Sequence, residues 1–188
     1  MMHTPKNKSG TTHILDSKPL FACPGWKLTD DLVSFPDGRT KRAVQVHSPD
    51  WADTIGVTRS GNIVLIKEFR PLLGGFIWKL PGGKVKKGEG LQASAQREFR
   101  EETGFSARHL TFFAQYHLWE NFSIRCNVFI GKGLRKDPAR KDADEVIEVH
   151  EFPLDKAIEK VLSSSPISAL SAAALLHYQR SLQTVRSS

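Results

Sequence analysis

The chain has 188 residues, 39% of them hydrophobic, which is enough for one domain with a buried core and leaves no room for a second full domain. No stretch approaches the roughly 20 apolar residues of a membrane span, and polar Met1–Ser17 lacks the apolar run of a signal peptide, so the expected location is cytoplasmic. Two cysteines, Cys23 and Cys126, exclude a disulfide framework. The net charge of +7 is scattered, and its densest cluster, Lys132–Lys141, is broken by Gly, Leu, Pro and Asp, which favours attraction of anionic nucleotides over nucleic-acid binding.

In chain order, residues 1–17 read as a flexible N-terminus, followed by a single domain over 18–182 and a flexible tail over 183–188. Strand-like runs rich in β-branched and aromatic residues fall at Arg42–His47, Thr54–Thr58 and Ile63–Phe69, the last two separated by a Gly61-Asn62 turn. The segment Leu91–Thr103 has helical periodicity, then strand-like runs return at Thr111–Tyr116, Arg125–Ile130 and Val146–Phe152. Two later helices are predicted, Leu154–Leu162 and the Ala- and Leu-rich Ile167–Leu182. Strands surrounding one helix and followed by two more suit an α/β (α+β) fold in which helices sandwich a mixed sheet.

The chemistry concentrates between Gly83 and Phe105. Glu98, Glu101 and Glu102 stand at i, i+3 and i+4, so a helix over Leu91–Thr103 puts three carboxylates on one face. Like charges that close repel, and a compensating cation is expected; oxygen-only ligands favour magnesium or manganese over zinc. Before the helix, Leu80-Pro81-Gly82-Gly83 and Lys86-Lys87-Gly88-Glu89 form a glycine-rich loop that lets backbone approach a ligand and brings Glu89 back toward the acidic face. Thr103-Gly104 is a helix stop. Leu91, Ala95 and Phe99, spaced by four, are the core-facing anchor.

The pattern G-x5-E-x7-R-E-U-x-E-E-x-G-U, with U a bulky apolar residue, resembles the signature of the Nudix hydrolases. Gly83, Glu89, Arg97, Glu98, Glu101, Glu102 and Gly104 fill its fixed places, and Phe99 stands where an aliphatic residue is more usual; this box spans 23 residues. The resemblance implies a Nudix-type α/β/α sandwich and metal-dependent hydrolysis of a nucleoside diphosphate linked to another group, with water attacking phosphorus. It further implies Glu98 and Glu102 as direct ligands of Mg2+ (or Mn2+), Glu101 as a further ligand or water contact, and the Gly82 carbonyl as another oxygen. Arg97 is expected to pair with Glu101 or Glu89 and fix carboxylate geometry.

From about Trp51 to His177 the chain is also similar to ADP-ribose and nucleoside diphosphate sugar pyrophosphatases, through Glu68-Phe69-Arg70 and Leu154-Asp155-Lys156-Ala157. That likeness implies a general base on the acidic segment before a late strand, with Glu145 first and Asp144 and Asp142 in reserve. It implies Arg70 as a contact to phosphate or the far ribose, with pairing to Glu68 or a nearby acid as the alternative; Trp51 and Trp119 could offer faces for a base, but core or interface packing is the favoured use of each. It also implies a homodimer, with N-terminal strands within residues 18–50 contributing to it. Three departures stand against this subgroup: Lys79 where an acid often precedes Leu-Pro, Gly82 in Pro-Gly-Gly, and the lack of a proline near Asn121. A nucleoside triphosphate, dinucleoside polyphosphate or RNA-cap hydrolase is therefore the rival expectation. A non-catalytic nucleotide-binding regulator is a third, disfavoured by the intact glutamates.

Overall fold

The computed structural model describes residues 13–139 and 146–186. They separate into two compact units, one formed by the chain up to Pro49 together with His117–Ile124, the other by Asp50–Tyr116 and the chain from Arg125 onward.

The first unit is an antiparallel sheet of β1 (His13–Cys23), β2 (Trp26–Ser34) and β3 (Thr40–His47), in that order. A two-residue Pro24-Gly25 turn joins the first two strands, with Cys23 opposite Trp26. Asp31 is buried and accepts a hydrogen bond from Ser17 Oγ at 2.6 Å, and Thr29 Oγ1 lies 2.8 Å from His47 Nε2. Residues 13–17, expected to be frayed, are thus the first part of a paired strand. Every side chain of β1 is exposed, so its order comes from the backbone ladder to β2, which leaves no apolar alternation in the sequence.

The second unit contains a seven-stranded sheet. Its strands are β4 (Trp51–Val57), β5 (Ile63–Arg70), β6 (Gly75–Lys79), β7 (Gly82–Lys84), β8 (Phe105–His117), β9 (Arg125–Lys136) and β10 (Ile147–Phe152). The order is β10-β5-β4-β9-β8, with β6 added on β5 and β7 on β4. The β4–β9 pair is parallel, whereas β4–β5, β5–β10, β5–β6 and β4–β7 are antiparallel, so the sheet is mixed. The apolar run Ile63–Ile66 is buried throughout, as expected of a strand covered on both faces.

Helices α1 (Leu91–Thr103), α2 (Leu154–Leu162) and α3 (Ala169–Arg186) supply those covers. On one side Ala52 and Phe129 pack with Ala95 of α1, while Ile55, Leu65 and Val128 pack with Ala157, Val161 and Leu175 of α2 and α3. This is the expected α/β/α sandwich. The last helix runs past Leu182 into the expected tail, because Gln183, Thr184, Val185 and Arg186 include neither Gly nor Pro to stop it. No helix among the described residues is long and apolar enough to cross a membrane.

For the site, the decisive feature is the seating of α1. Ala95 and Phe99 are fully buried and Leu91 packs beside Ala95, so the predicted anchor face turns Glu98 and Glu102 toward β7. The helix ends at Gly104, whose φ of +72° is left-handed and whose N–H donates to the Arg100 carbonyl.

Candidate active site

Two short segments meet at the end of α1. β7 pairs with β4 so that Gly82 lies opposite Asp53 and Gly83 opposite Ala52. A Cβ on Gly83 would meet the Glu98 carboxyl carbon at 2.6 Å; the missing side chain is the space in which that carboxylate lies against the strand. One turn on, Glu102 is buried and its Oε2 accepts from the Gly82 N–H at 2.6 Å.

Arg97 ties the acidic face together. Its guanidinium grips Glu89 with two bonds, Nε to Oε1 at 2.8 Å and Nη2 to Oε2 at 2.9 Å. Nη1 donates to Glu98 Oε1 at 2.7 Å and to Glu101 Oε2 at 3.0 Å, and Nη2 reaches the Lys84 carbonyl at 3.1 Å. The expectation of a partner in either Glu101 or Glu89 is met by both, with Glu98 added. A planar fork with five N–H groups can serve three carboxylates at once.

Charge on these groups follows their surroundings. The Arg97 hydrogen bonds hold Glu89 down to about 2, against an opposing effect of burial and with help from the Lys86 N–H. Burial raises Glu98 despite the pull of Arg97. Burial also pushes Glu102 up to about 8, although Lys79 and the Gly82 N–H both favour its anion. Asp53 is pushed up to about 7 by burial, with Lys79 opposing and Glu98 reinforcing the shift, and its Oδ2 is buried without a hydrogen-bond partner. Such an orphaned oxygen is uncommon in a folded interior.

Lys79 lies among these acids. Its Nζ donates to Glu68 Oε2 at 3.0 Å and to the Gly82 carbonyl at 3.2 Å, and stands 3.6 Å from Glu102 Oε1. Burial alone would lower its pKa, but Glu102, Glu68 and Asp53 outweigh it and keep the ammonium charged. Arg70 Nη1 holds the other oxygen of Glu68 at 2.9 Å.

Among the described residues, no three His, Cys, Asp or Glu side chains are gathered as they would be around a metal ion. Glu98 is turned onto Arg97, and Glu102 onto Gly82 and Lys79. The donor chemistry nevertheless fits Mg2+ or Mn2+: Glu98, Glu102 and the Gly82 carbonyl are all oxygen donors. Burial penalises the anions of both carboxylates, and a nearby cation would relieve that penalty.

A NUDIX domain model matches residues 50–170. The ADP-ribose pyrophosphatase of Bacillus subtilis (strain 168) is 32% identical over 150 residues, 78% of this chain and 81% of that protein. The chain belongs to the Nudix family. The methanol dehydrogenase activator of Bacillus methanolicus is 30% identical over 138 residues, covering 72% and 75% of the two chains. In fold, this Nudix hydrolase matches a crystal structure of an ADP compounds hydrolase with a TM-score of 0.75 at 20% identity, over 92% of this chain and 95% of that one.

Of the residues singled out in sequence, a cleft of about 290 Å³ brings together Trp51, Arg70, Gly82, Arg97, Glu98 and Glu102. Glu101 reaches this Nudix site through Arg97. Trp119 belongs to the other compact unit, where it is 69% exposed and stacks on Phe122. Glu145, Asp144 and Asp142 lie outside the described residues. Sequence reasoning missed Asp53, saw Glu68 only as a pairing partner of Arg70, a pair the structure contains, and read Lys79 only as a departure from a subgroup. The available signal was charge inside buried strands: Asp53 in Trp51–Val57 and Glu68 in Ile63–Arg70 interrupt apolar runs.

The Arg97 hub gives a direct expectation. Arg97→Lys keeps the charge but loses the fork, and should lower kcat by roughly 10- to 100-fold, the usual cost of disturbing groups that orient ligands. Steady-state kinetics at saturating Mg2+ checks this. Turnover within threefold of wild type would mean that Arg97 supplies charge alone.

Proposed function

We propose that this Nudix hydrolase cleaves the diphosphate of ADP-ribose or a nucleoside diphosphate sugar, releasing a nucleoside monophosphate and a sugar phosphate. The observation that carries the reading is the cleft itself: Glu98 and Glu102 of α1, Arg70 and Trp51 line one opening, and Lys84 and Lys86 add positive charge at its wall. Similarity to an ADP-ribose pyrophosphatase over most of the chain supports the same substrate class.

In this reading Glu98, Glu102 and the Gly82 carbonyl hold Mg2+ or Mn2+, with Glu101 contributing directly or through water. When bound, the metal neutralises the diphosphate and makes a water more acidic. The chain does the rest. Arg97 keeps Glu89, Glu98 and Glu101 in fixed positions, so no reorganisation is needed as charge develops. Arg70, anchored by Glu68, binds a phosphate or ribose oxygen, and Trp51 offers a π face to the base. Glu145 is the proposed base: it takes a proton from the attacking water as the new P–O bond forms and the bond to the bridging oxygen breaks.

A homodimer built through the N-terminal strands belongs to the same reading, supported by Ile14, Leu15, Leu20 and Phe21 of β1, each more than half exposed. So does a cytoplasmic location, in keeping with the free thiols of Cys23 and Cys126. The deciding experiment incubates the protein with Mg2+ and ADP-ribose, nucleotide sugars, nucleoside triphosphates or capped RNA, and separates the products. AMP plus ribose phosphate is the expected outcome. Pyrophosphate from a triphosphate, with ADP-ribose untouched, would transfer the site to the rival class.

A further inference from the structure

Two of the oxygens assigned above to a divalent metal are already in contact with a cation belonging to the chain. The Lys79 ammonium donates to the Gly82 carbonyl at 3.2 Å and faces Glu102 Oε1 at 3.6 Å. It is held from another direction by Glu68, at 3.0 Å, and Glu68 is itself anchored by Arg70. Lys79 closes β6, where it stands opposite Ile66 of β5, and it is only 6% exposed. Its stem is therefore packed, and the ammonium cannot be withdrawn to water as a surface lysine can. Asp53, with its unpartnered Oδ2, is a further acid acting on the same ammonium.

We propose that Lys79 is a tethered resident cation of this site, competing with divalent metal for Glu102 and the Gly82 carbonyl and so coupling metal loading to the arrival of an anionic diphosphate. The inference rests on the reading of those two groups as metal donors. A monovalent ammonium and a divalent ion drawing on the same oxygens repel each other at short range, where screening by water is weak. In the substrate-free enzyme the ammonium satisfies part of the oxygen set, and metal gains less there than in a site of free carboxylates. A bound diphosphate brings negative charge of its own, which offsets the repulsion and restores metal affinity. The feature belongs to this chain's Lys79 and Glu68, not to the glutamates of the box.

The test is Mn2+ binding followed by electron paramagnetic resonance, with and without a non-hydrolysable methylene analogue of ADP-ribose. Without the analogue, Lys79→Gln should bind Mn2+ roughly tenfold more tightly than wild type, and the gap should narrow when the analogue is present. The double variant Glu68→Gln/Lys79→Gln removes the ammonium at unchanged net charge and does not leave Glu68 as a buried carboxylate deprived of Lys79; it should show the same tightening. Lys86→Gln removes one positive charge from the same cleft without touching the shared oxygens, and should tighten binding far less. Equal affinity in wild type and both Lys79 variants, or equal tightening in Lys86→Gln, overturns the proposal. Mn2+-dependent hydrolysis of ADP-ribose by wild type would show the underlying reading intact in that case. If wild type binds no Mn2+ even with the analogue, the metal reading and this inference fall together.

Discussion

Replacing Glu102 with Gln should lower ADP-ribose turnover by ~10³-fold while leaving the metal-free fold within about 1 kcal/mol of wild type. The two halves of that expectation come from one fact. Burial pushes Glu102 up to about 8, so near neutral pH the resting protein carries this side chain mostly as the uncharged acid. A carboxamide has the same shape and no charge, and its oxygen can keep accepting from the Gly82 N–H, the contact that Glu102 makes at 2.6 Å. Folding is therefore nearly indifferent to the change. Metal binding is not, because it needs the anion. Thermal unfolding in chelator, Mn2+ titration and steady-state kinetics on one preparation check each part. Turnover within tenfold of wild type would remove Glu102 from the metal site, and a large loss of metal-free stability would contradict its neutral resting state.

The metal-free protein should lose at least about 3 kcal/mol of stability between pH 5 and pH 8, and saturating Mg2+ should make that slope shallower. Asp53 at about 7 and Glu102 at about 8 lie well above their ordinary values of 3.8 and 4.5. Over the intervening pH range the folded protein holds protons that the unfolded chain has released. Their contribution is complete below the unfolded values and is lost as pH climbs through the folded ones, at about 1.4 kcal/mol per pH unit for each group. Glu89, held down to about 2, behaves in the opposite way: its contribution is present above 4.5 and is lost as pH falls toward 2. Maximum stability in chelator is thus expected near pH 5. Mg2+ displaces the proton from Glu102, which it binds, so in its presence only the share of Asp53 should still be lost as pH rises. Urea unfolding at a series of pH values, with chelator and with Mg2+, measures both curves. A flat or rising curve in chelator would show that the buried carboxyls stay ionised in the fold.

The helix that carries the chemistry was legible because everything specifying it is local. Glu98, Glu101 and Glu102 share a face by spacing alone, Ala95 and Phe99 turn the opposite face to the core, and Gly104 ends the helix with φ of +72°. The buried strands around Ile63–Ile66 and Val128 were legible from apolar runs. β1, with all its side chains exposed, and the three-residue β7 were not: their order comes from backbone pairing with partners elsewhere, which leaves no periodic trace.

Sequence by itself therefore determined the family, the fold class and the acidic face, since each rests on residues a turn or a few turns apart. Only the tertiary structure decided how the charges around that face are shared. Lys79 meets Glu68 eleven residues away and Glu102 on α1, and Asp53 is left with an unpaired oxygen. Those relations depend on β6 and β7 being laid against β5 and β4 and on how deeply each group is buried, and burial, which sets the cost of every charge here, is a property of the packed chain.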